Sequence, residues 1–306
     1  LAWIPRRAGE RGAVDAGALP NLLPGGRPID DVEARAQVGR IWATRDLPVM
    51  PGRDTSAIID AARAGVINAL VVAGVDPADL PDEDAMLAAL DSTRFVVSLE
   101  QRAGAVTDRA DVVLPVASTA EKSGTFVDWE GRDRPFEATF PERGSMSDLE
   151  VLGALADRMD VHLGLPDPAT VRHELDALGP WTGVRAGAPA TSAGPKPRPA
   201  EGQAALATWH LLLDEGRLQD GEPYLAGTAR QPHARLSPTT AKEVGVDDGG
   251  MLMVATDHGS VTLPLVVTEM PDRVVWVPTA SQGCLVRRDL KADAGQVVSL
   301  SAGGNA

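Results

Sequence analysis

The chain has 306 residues, of which 43% are hydrophobic, and its 43 acids and 29 bases give a formal net charge of −14. This length predicts two ordinary domains with buried cores, and the acidic balance argues against nucleic acid or anionic lipid as a partner. The single cysteine, Cys284, excludes a disulfide and also an iron–sulfur cluster held by this chain alone, since such a cluster needs about four ligating side chains.

The first domain is predicted to cover residues 1–178 and to have an α/β architecture. Its first part, residues 1–54, is rich in Gly, Pro and Arg, and we expect irregular structure that packs on a neighbour. Apolar runs and capped amphipathic stretches then alternate, which predicts strands at 69–73, 95–99 and 111–114 and helices at 55–64 and 82–90. This alternation is typical of a parallel, Rossmann-like sheet, with the strand at 69–73 buried on both faces. Ligands bind such sheets at loops beyond the strand carboxyl ends, here the loops that follow Ala73 and Pro115.

The later part of the chain changes from helical to β character across a linker. Ser147 and Glu150 predict a capping box at the start of a helix, and a further short helix is expected over 169–178. Residues 179–203 are rich in Gly, Pro, Ala, Ser and Thr, which predicts an interdomain linker. Residues 204–306 carry short β runs around one small helix, with a hairpin turn at Asp257-His258-Gly259, and predict a compact barrel.

Several common active-site signatures are absent from the sequence. It contains no G-x-x-x-x-G-K-[ST], G-x-G-x-x-G, G-x-S-x-G or H-E-x-x-H, so hydrolase and nucleotide-triphosphatase functions lose their main support. No base can be assigned to Cys284, so we expect a small buried or loop-lining thiol rather than a nucleophile. The longest apolar run, 66–75, has about half the length of a membrane helix. Because the chain also starts at Leu1 rather than Met, we expect a soluble piece of a longer protein.

One ordered set of motifs stands out in the first domain. Ala110-Asp111-Val112-Val113-Leu114-Pro115 is followed by Glu121-Lys122-Ser123-Gly124-Thr125-Phe126 and then by Glu130-Gly131-Arg132. This order resembles the molybdopterin-dependent oxidoreductases, in which a strand reading A-D-V-V-L-P leads into E-x-x-G-T-x-x-N-x-E-G-R. Gly74-Val75-Asp76-Pro77 stands where that family carries a G-x-N-P turn, and residues 234–249 resemble part of its C-terminal double-psi β-barrel. The resemblance implies a pterin-nucleotide cleft whose candidate residues are Gly74, Asp76, Glu121, Gly124, Thr125, Asp128, Glu130, Gly131 and Arg132.

The motif loop has a structural and a functional interpretation, and the sequence leaves both open. In the structural interpretation, Gly124 and Gly131 permit tight backbone turns, and Glu121 pairs with Arg132 to pin the loop. In the functional interpretation, the loop lines the cleft, backbone donors bind pyrophosphate, and Asp or Asn side chains bind the guanine or pterin edges.

Two departures from the family pattern bear on that cleft. Asp76 and Asp128 stand where the family has Asn, which removes amide donors and adds negative charge beside a polyanionic cofactor. Repulsion should weaken cofactor binding unless these acids are paired or protonated. The segment that carries the family's metal-ligating Cys, selenocysteine or Ser is not visible in the sequence either. We therefore predict a degenerate pocket, with no catalytic residue, no metal ligand and no bound molybdopterin in this chain.

Further stretches resemble one branch of this superfamily, the large iron–sulfur subunits (the G subunits) of bacterial NADH–quinone oxidoreductases, or complex I. They are Trp3-Ile4-Pro5-Arg6-Arg7-Ala8-Gly9-Glu10-Arg11, Leu23-Pro24-Gly25-Gly26-Arg27-Pro28 and Asp128-Trp129-Glu130-Gly131-Arg132. The resemblance implies that this chain is a scaffolding C-terminal part. Iron–sulfur clusters would lie in an N-terminal part that is not in this chain, and would pass electrons from NADH toward quinone in a proton-translocating enzyme.

The same resemblance implies a set of partners and a place in the cell. The partners would be the NADH-oxidising and connecting subunits of complex I, with no nucleic acid and no membrane insertion. The location would be cytoplasmic, in the peripheral arm of the complex at the inner face of the plasma membrane. Among the arginines of the first 50 residues, five are either exposed solubilising residues or pair with acidic partners: Arg6, Arg7, Arg11, Arg40 and Arg45.

Two other functions remain open at this point. The chain could be the C-terminal half of an active molybdoenzyme such as a formate dehydrogenase or nitrate reductase, in which case it would contain molybdenum or tungsten. It could also be a free-standing binding module built from an α/β domain and a small barrel, in which case it would be stable without a partner.

Overall fold

The computed structural model describes residues 9–140, 144–187, 196–219 and 221–304. The chain divides into two compact units, of which the first comprises residues 1–74 and 88–190 and the second comprises residues 75–87 and 191–306. The sequence predicts one continuous domain up to residue 178, whereas residues 75–87 group with the second unit. The linker prediction over 179–203 falls partly outside the described residues. In the part of the chain that the structure describes, no helix is long and apolar enough to span a bilayer.

Within residues 9–140 and 144–178, the structure contains six α-helices and seven strands. The helices are α1 Glu10–Asp15, α2 Val32–Ile41, α3 Thr55–Arg63, α4 Glu83–Ser92, α5 Asp148–Arg158 and α6 Pro168–Leu178. The strands are β1 Leu22–Leu23, β2 Arg27–Pro28, β3 Ala69–Ala73, β4 Phe95–Glu100, β5 Val112–Pro115, β6 Gly124–Val127 and β7 Asp133–Phe136. Short 3-10 helices occupy Pro77–Asp79, Thr107–Arg109 and Thr119–Glu121.

Side-chain caps explain where several of these helices begin. The carboxylate of Asp54 accepts a hydrogen bond from the Ala57 amide at 2.8 Å at the start of α3, whereas the sequence suggests Thr55 or Ser56 as the cap. The predicted capping box of α5 is confirmed, because Ser147 and Glu150 each accept a hydrogen bond from the backbone amide of the other. Such caps satisfy amides that have no partner within the helix.

The predicted parallel sheet is confirmed in the order β3-β4-β5, with Val71 opposite Val97 and Leu99 opposite Leu114. The expectation that 69–73 is buried on both faces is wrong, because Val71 is 56% exposed and only Val72 in that strand is buried. β3 lies at an edge of the sheet, and an apolar run does not reveal whether a strand is central or marginal.

The N-terminal part is more regular than the sequence predicts. From residue 9 to residue 54 it contains α1, the β1–β2 pair and α2, and a small core of Leu23, Ile29 and Val38 lies between them. Arg27 is buried at 1% exposure. Glycine and proline in this segment form the turns between short elements, and these elements are too short to produce a clear hydrophobic period.

The second unit is built around a closed six-stranded barrel in the order β10-β11-β9-β12-β8-β15. Its elements are β8 Gln203–Trp209, α7 Pro223–Ala226, β9 Ala234–Leu236, α8 Pro238–Val244, β10 Met251–Ala255, β11 Ser260–Val267, β12 Val274–Pro278, β13 Ala280–Ser281, β14 Cys284–Leu285 and β15 Val297–Ala302. A 3-10 helix at Arg217–Gln219 and one π-helical turn at Val286–Leu290 complete it.

The predicted double-psi barrel is confirmed. The pairs β8–β12 and β9–β11 are parallel, whereas the other pairs of the barrel are antiparallel. Alternate residues point inward, so that Leu252 and Val254 of β10 and Val275 and Val277 of β12 are fully buried. Closure of the barrel leaves the sheet without a free edge. The hydrophobic core inside the barrel contains more buried residues than either core cluster described in the first unit.

Candidate functional site

The family-like motif folds as a β-hairpin, which the sequence pattern did not predict. β6 and β7 pair antiparallel, with Thr125 opposite Pro135, and the five residues from Asp128 to Arg132 connect them. The Asp128 carboxylate closes this connection, because its Oδ1 accepts hydrogen bonds from the amides of Glu130 at 3.0 Å and Arg132 at 2.9 Å. The Asp128 amide in turn donates to the Arg132 carbonyl at 3.0 Å. The signal that was available is a turn-forming Asp followed three residues later by Gly.

The second oxygen of Asp128 is also engaged. Its Oδ2 lies 2.9 Å from Nη2 of Arg134 on the return strand. The hydrogen bond from the Arg132 amide is the main cause that lowers the pKa of Asp128 below its ordinary value, and the positive charge of Arg134 adds to it. Asp128 is therefore ionised and paired with Arg134. The positive charge of Arg134 compensates the repulsion that Asp128 would otherwise exert on a polyanion.

The glycines of the motif serve the hairpin itself. Gly131 has a φ of +82°, which an L side chain adopts only with strain. Gly124 lies under the ring of Phe136, and a Cβ placed on it would come within 2.8 Å of the Phe136 Cζ atom. Phe136 also stacks on Phe126, with ring centroids 5.2 Å apart. Removing either glycine would therefore disturb the turn or the aromatic packing.

The predicted Glu121–Arg132 ion pair is replaced by two local arrangements. Arg132 places Nη1 2.9 Å from Oε2 of Glu130, so both partners lie within the turn. Glu121 instead completes a capping box, in which its Oε2 accepts a hydrogen bond from the Ser118 amide at 3.0 Å. Ion pairs formed between near neighbours in a turn need no long-range closure, which explains why Arg132 pairs with Glu130.

The two remaining candidates follow β3. Gly74 has a φ of +62° and donates its amide to the Leu99 carbonyl at 3.2 Å, which places it at the carboxyl end of the sheet, as predicted. Asp76 belongs to the second unit and accepts a hydrogen bond from the Ala78 amide at 3.0 Å, at the start of the 3-10 helix Pro77–Asp79. Like Asp128, Asp76 uses its carboxylate to hold a local turn. The hairpin contains six of the candidate residues, namely Gly124, Thr125, Asp128, Glu130, Gly131 and Arg132.

An ionic cluster in the second unit was also missed. By charge density alone, the sequence predicts a solvated face for the acids over 76–91. In the structure, Arg288 donates to both carboxylate oxygens of Glu83 at 3.0 and 3.1 Å, and Lys291 pairs with Asp84. The hydrogen bond to Glu83 is the main cause that raises the pKa of Arg288, and the hydrogen bond with Lys291 lowers the pKa of Asp84. These partners are about 200 residues apart, so sequence spacing gives no sign of them.

The Glu130 and Arg132 amides and the Asp128 carboxylate are not free to bind a pterin nucleotide directly. Such a cofactor presents phosphates and a hydrogen-bonding ring edge, which call for free backbone amides and amide side chains. Here the amides of Glu130 and Arg132 already bind Asp128, and Asp128 is an ionised carboxylate with both oxygens used. An ionised carboxylate can only accept hydrogen bonds, so Asp128 cannot replace the donor that Asn supplies in the family.

Comparison with known proteins agrees with the fold. The family model described as "Molybdopterin oxidoreductase" matches residues 4–158, and the one described as "Molydopterin dinucleotide binding domain" matches residues 218–301. Acetylene hydratase from Pelobacter acetylenicus superimposes with a TM-score of 0.55 at 17% sequence identity, covering 88% of this chain and 49% of that one, which shows a shared fold.

Two sequence relatives are much more similar. The G subunit of NADH-quinone oxidoreductase from Mycobacterium bovis is 56% identical over 308 residues, covering 99% of this chain and 38% of that protein. The corresponding G subunit from Streptomyces coelicolor is 56% identical over 305 residues, covering 98% of this chain and 36% of that protein. The chain thus spans little more than a third of the length of these curated relatives. Because the first family model matches half of its residues, this chain belongs to the molybdopterin oxidoreductase family.

Proposed function

We propose that this chain forms the C-terminal part of the large iron–sulfur (G) subunit of a NADH–quinone oxidoreductase and acts there as a scaffold. Its role is to support the folding, docking and shielding of neighbouring subunits while electrons pass from NADH to quinone. The names of relatives that are 56% identical over almost the whole chain support this assignment over a formate dehydrogenase or another active molybdoenzyme.

The observation that supports the scaffolding role is that Asp128 makes two hydrogen bonds and one ion pair within the hairpin. Both of its oxygens are used within the hairpin, by two backbone amides and by Arg134. The residue that stands in place of the family's amide donor therefore stabilises a turn. Such a hairpin keeps the inherited shape of the fold without requiring a cofactor to hold it.

The wider assembly follows from the same assignment. Iron–sulfur clusters would be held by the part of the protein that this chain does not include, since Cys284 is the only cysteine here. The NADH-oxidising and connecting subunits would be the partners. The location would be the peripheral arm of a proton-translocating complex, on the cytoplasmic side of the plasma membrane.

Affinity purification of the full-length protein from its own cells tests the proposal. We expect the NADH-oxidising subunits to be retained in equal amount and the eluate to oxidise NADH with an artificial acceptor. A preparation that instead oxidises formate and contains stoichiometric molybdenum would favour the molybdoenzyme. A preparation that retains no other polypeptide would favour a free-standing module. Either result would contradict the proposal.

A further inference from the structure

A groove beside α2 combines positive charge with exposed apolar surface. It has a volume of about 670 Å³ and is lined by three arginines, Arg35, Arg40 and Arg45, together with aliphatic side chains that include Val32 and Val49. Among the described residues no acidic side chain lines it, although the whole chain carries a net charge of −14. The charge of the groove lining is thus opposite in sign to the net charge of the chain.

The arginines of the groove have guanidinium N–H groups that no described residue binds. Arg40 donates through Nε to the Ala36 carbonyl at 3.3 Å and through Nη2 to Glu33 at 3.5 Å, with the Arg40 and Glu33 side chains mostly exposed. Arg35 donates through Nη1 to the Ile29 carbonyl at 2.6 Å. In the part of the chain that the structure describes, Arg45 has no ion-pair or hydrogen-bond partner. A guanidinium binds carboxylates through two parallel hydrogen bonds, so this set favours an acidic ligand.

Apolar exposure at the groove points to a polypeptide rather than a small anion. Val32 is 73% exposed and Val49 is 57% exposed, and Met50 beside it is 72% exposed. Arginine and methionine are both enriched at protein–protein interfaces relative to the rest of a protein surface. A small anion would make no favourable contact with the aliphatic side chains. A peptide with alternating acidic and apolar side chains would bind the arginines and also cover the aliphatic side chains.

The wall of the groove is formed by a strained turn that follows α2. Ala43, two residues after the end of α2, has a φ of +50°, and the Thr44 amide donates to the Gly39 carbonyl at 2.9 Å. A Cβ on Gly39 would come within 2.6 Å of the Thr44 carbonyl oxygen, so glycine is needed for this close approach. The turn projects Arg45 and Val49 beside Arg35 and Arg40. Strain retained at a surface is a reason to look for a function there.

We propose that this groove binds an acidic, partly apolar segment of another subunit of the assembled oxidoreductase. The inference rests on the proposed function for the existence of that subunit, and on the groove's charge and apolar lining for the chemistry of the segment. The carboxylates of the segment would pair with Arg40 and Arg45, and its apolar side chains would cover Val32 and Val49.

Photo-crosslinking within the full-length protein, in its own cells, tests this proposal. p-Benzoylphenylalanine replaces Val49 in the groove or, as a control, Val184, which is 82% exposed elsewhere in the first unit. We expect Val49 to cross-link to one peptide of another subunit that carries several acidic residues, and Val184 not to label that peptide. A cross-link to a peptide without acids, to a second copy of this chain, or to nothing would overturn the proposal.

Charge reversal gives an independent readout. The double change Arg40→Glu and Arg45→Glu should lower the yield of the Val49 cross-link by at least about tenfold, since like charges would then face the acidic segment. The matched control Arg63→Glu, on the exposed face of α3, should leave the yield unchanged. If the double variant does not accumulate, Arg45→Gln alone should still lower the yield. Unchanged yields in the variants of the groove would overturn the proposal.

Purification separates this proposal from the assignment on which it depends. Retained NADH-oxidising subunits without a cross-link at Val49 would refute the groove and leave the proposed function standing. Loss of those subunits from the unmodified protein would refute both.

Discussion

Arg288 holds Glu83 through two parallel hydrogen bonds, Nε to Oε2 at 3.0 Å and Nη2 to Oε1 at 3.1 Å. The two residues are 205 positions apart, and the pair fixes the segment 75–87 on the barrel, within the same compact unit. The neighbouring Lys291–Asp84 pair and the bond from Arg287 to the Asp79 carbonyl extend this contact. An acidic stretch that looks like a solvated face is thus partly an intramolecular contact.

The Glu83–Arg288 pair should show measurable coupling in a double-mutant cycle. With Glu83→Gln and Arg288→Gln we expect about 1 kcal/mol of coupling, at the upper end for exposed pairs because the geometry is bidentate and Glu83 is only 21% exposed. The coupling should fall as salt is added. The Glu33–Arg40 pair is 3.5 Å long with both partners mostly exposed, so it serves as the control and should show coupling near zero. Equal coupling in the two pairs would contradict this interpretation.

Arg27 should be one of the most sensitive positions of the first unit. It is buried, and its guanidinium donates to the carbonyls of Leu178 at 2.7 Å and Gly179 at 3.1 Å, and to the side chain of Gln37 at 3.0 Å. The pKa of Arg27 is lowered by burial, and no carboxylate is among its hydrogen-bond partners in the described part of the chain.

We expect Arg27→Ala to lower the free energy of unfolding by about 2–4 kcal/mol, because the buried guanidinium would be lost together with its hydrogen bonds to Gln37 and to the carbonyls of Leu178 and Gly179. Arg27→Lys should cost less but still be harmful, since an ammonium cannot reproduce the planar fork. Arg185→Ala, at an exposed loop position, is the control and should stay within about 0.5 kcal/mol in the same chemical denaturation. A similar loss for Arg27→Ala and Arg185→Ala would contradict the account.

The end of α2 offers a stabilising change. Ala43 occupies the left-handed position that follows the helix, where glycine is usual, and the Thr44–Gly39 hydrogen bond completes this Schellman-type cap. Ala43→Gly should raise the free energy of unfolding by up to about 1 kcal/mol, since relief of strain exceeds the extra entropy of glycine. Ala36→Gly, inside the same helix, should lower it by about 0.5–1 kcal/mol. The same sign for both changes would refute the assignment of strain.

Asp128 should titrate below the ordinary range of aspartate. Its pKa is lowered first by the hydrogen bond from the Arg132 amide. A carboxylate with a depressed folded pKa contributes stability that is fully present above its unfolded pKa of about 3.9 and is lost as pH falls through the folded pKa. The Arg132 amide shift, followed by NMR, should therefore move with a midpoint below that of a model aspartate. A midpoint at or above it would show that the carboxylate does not hold the turn.

Substitution separates the two roles of Asp128. Asp128→Asn keeps an oxygen that accepts from the Glu130 and Arg132 amides but loses the charge that faces Arg134. Asp128→Ala loses both. The midpoint of thermal unfolding should therefore fall more for Asp128→Ala than for Asp128→Asn, and only the Asn variant should keep the amide shifts of the turn.

Cys284 should be chemically inert in the folded protein. It is fully buried, its thiol donates to the Pro278 carbonyl at 3.3 Å, and burial raises its pKa to about 12. Because the thiolate is the reactive form, labelling by a disulfide reagent at pH 8 should be very slow until denaturant is added. Rapid labelling of the native chain would contradict the described burial.

The elements that could be predicted from sequence are those with a local cause. The strands at Ala69–Ala73 and Phe95–Glu100, the Ser147–Glu150 capping box and the turn at Asp257-His258-Gly259 each follow from apolar runs or from turn chemistry within a few residues. The predictions that were wrong concern features that depend on residues far away in the sequence. The exposure of Val71 depends on which strand is central, and the fate of the acids near Glu83 depends on Arg288.

For the candidate site, too, the sequence predicts some features and not others. The resemblance identifies the motif residues, and six of them do share one hairpin. The sequence predicts neither the antiparallel pairing of this hairpin nor the local Glu130–Arg132 pair. The substitution of Asp for Asn was read from the sequence as a source of repulsion. Whether that charge is free or paired depends on Arg134, on the opposite strand, and the sequence alone did not identify that partner.

Metal and pterin content of the intact, natively purified protein tests the central claim most directly. If the Asp128 hairpin maintains the fold without a cofactor, elemental analysis will find iron but no stoichiometric molybdenum or tungsten, and acid oxidation will release no fluorescent pterin. Molybdenum or tungsten at close to one atom per chain, with a matching amount of released pterin, would contradict the claim.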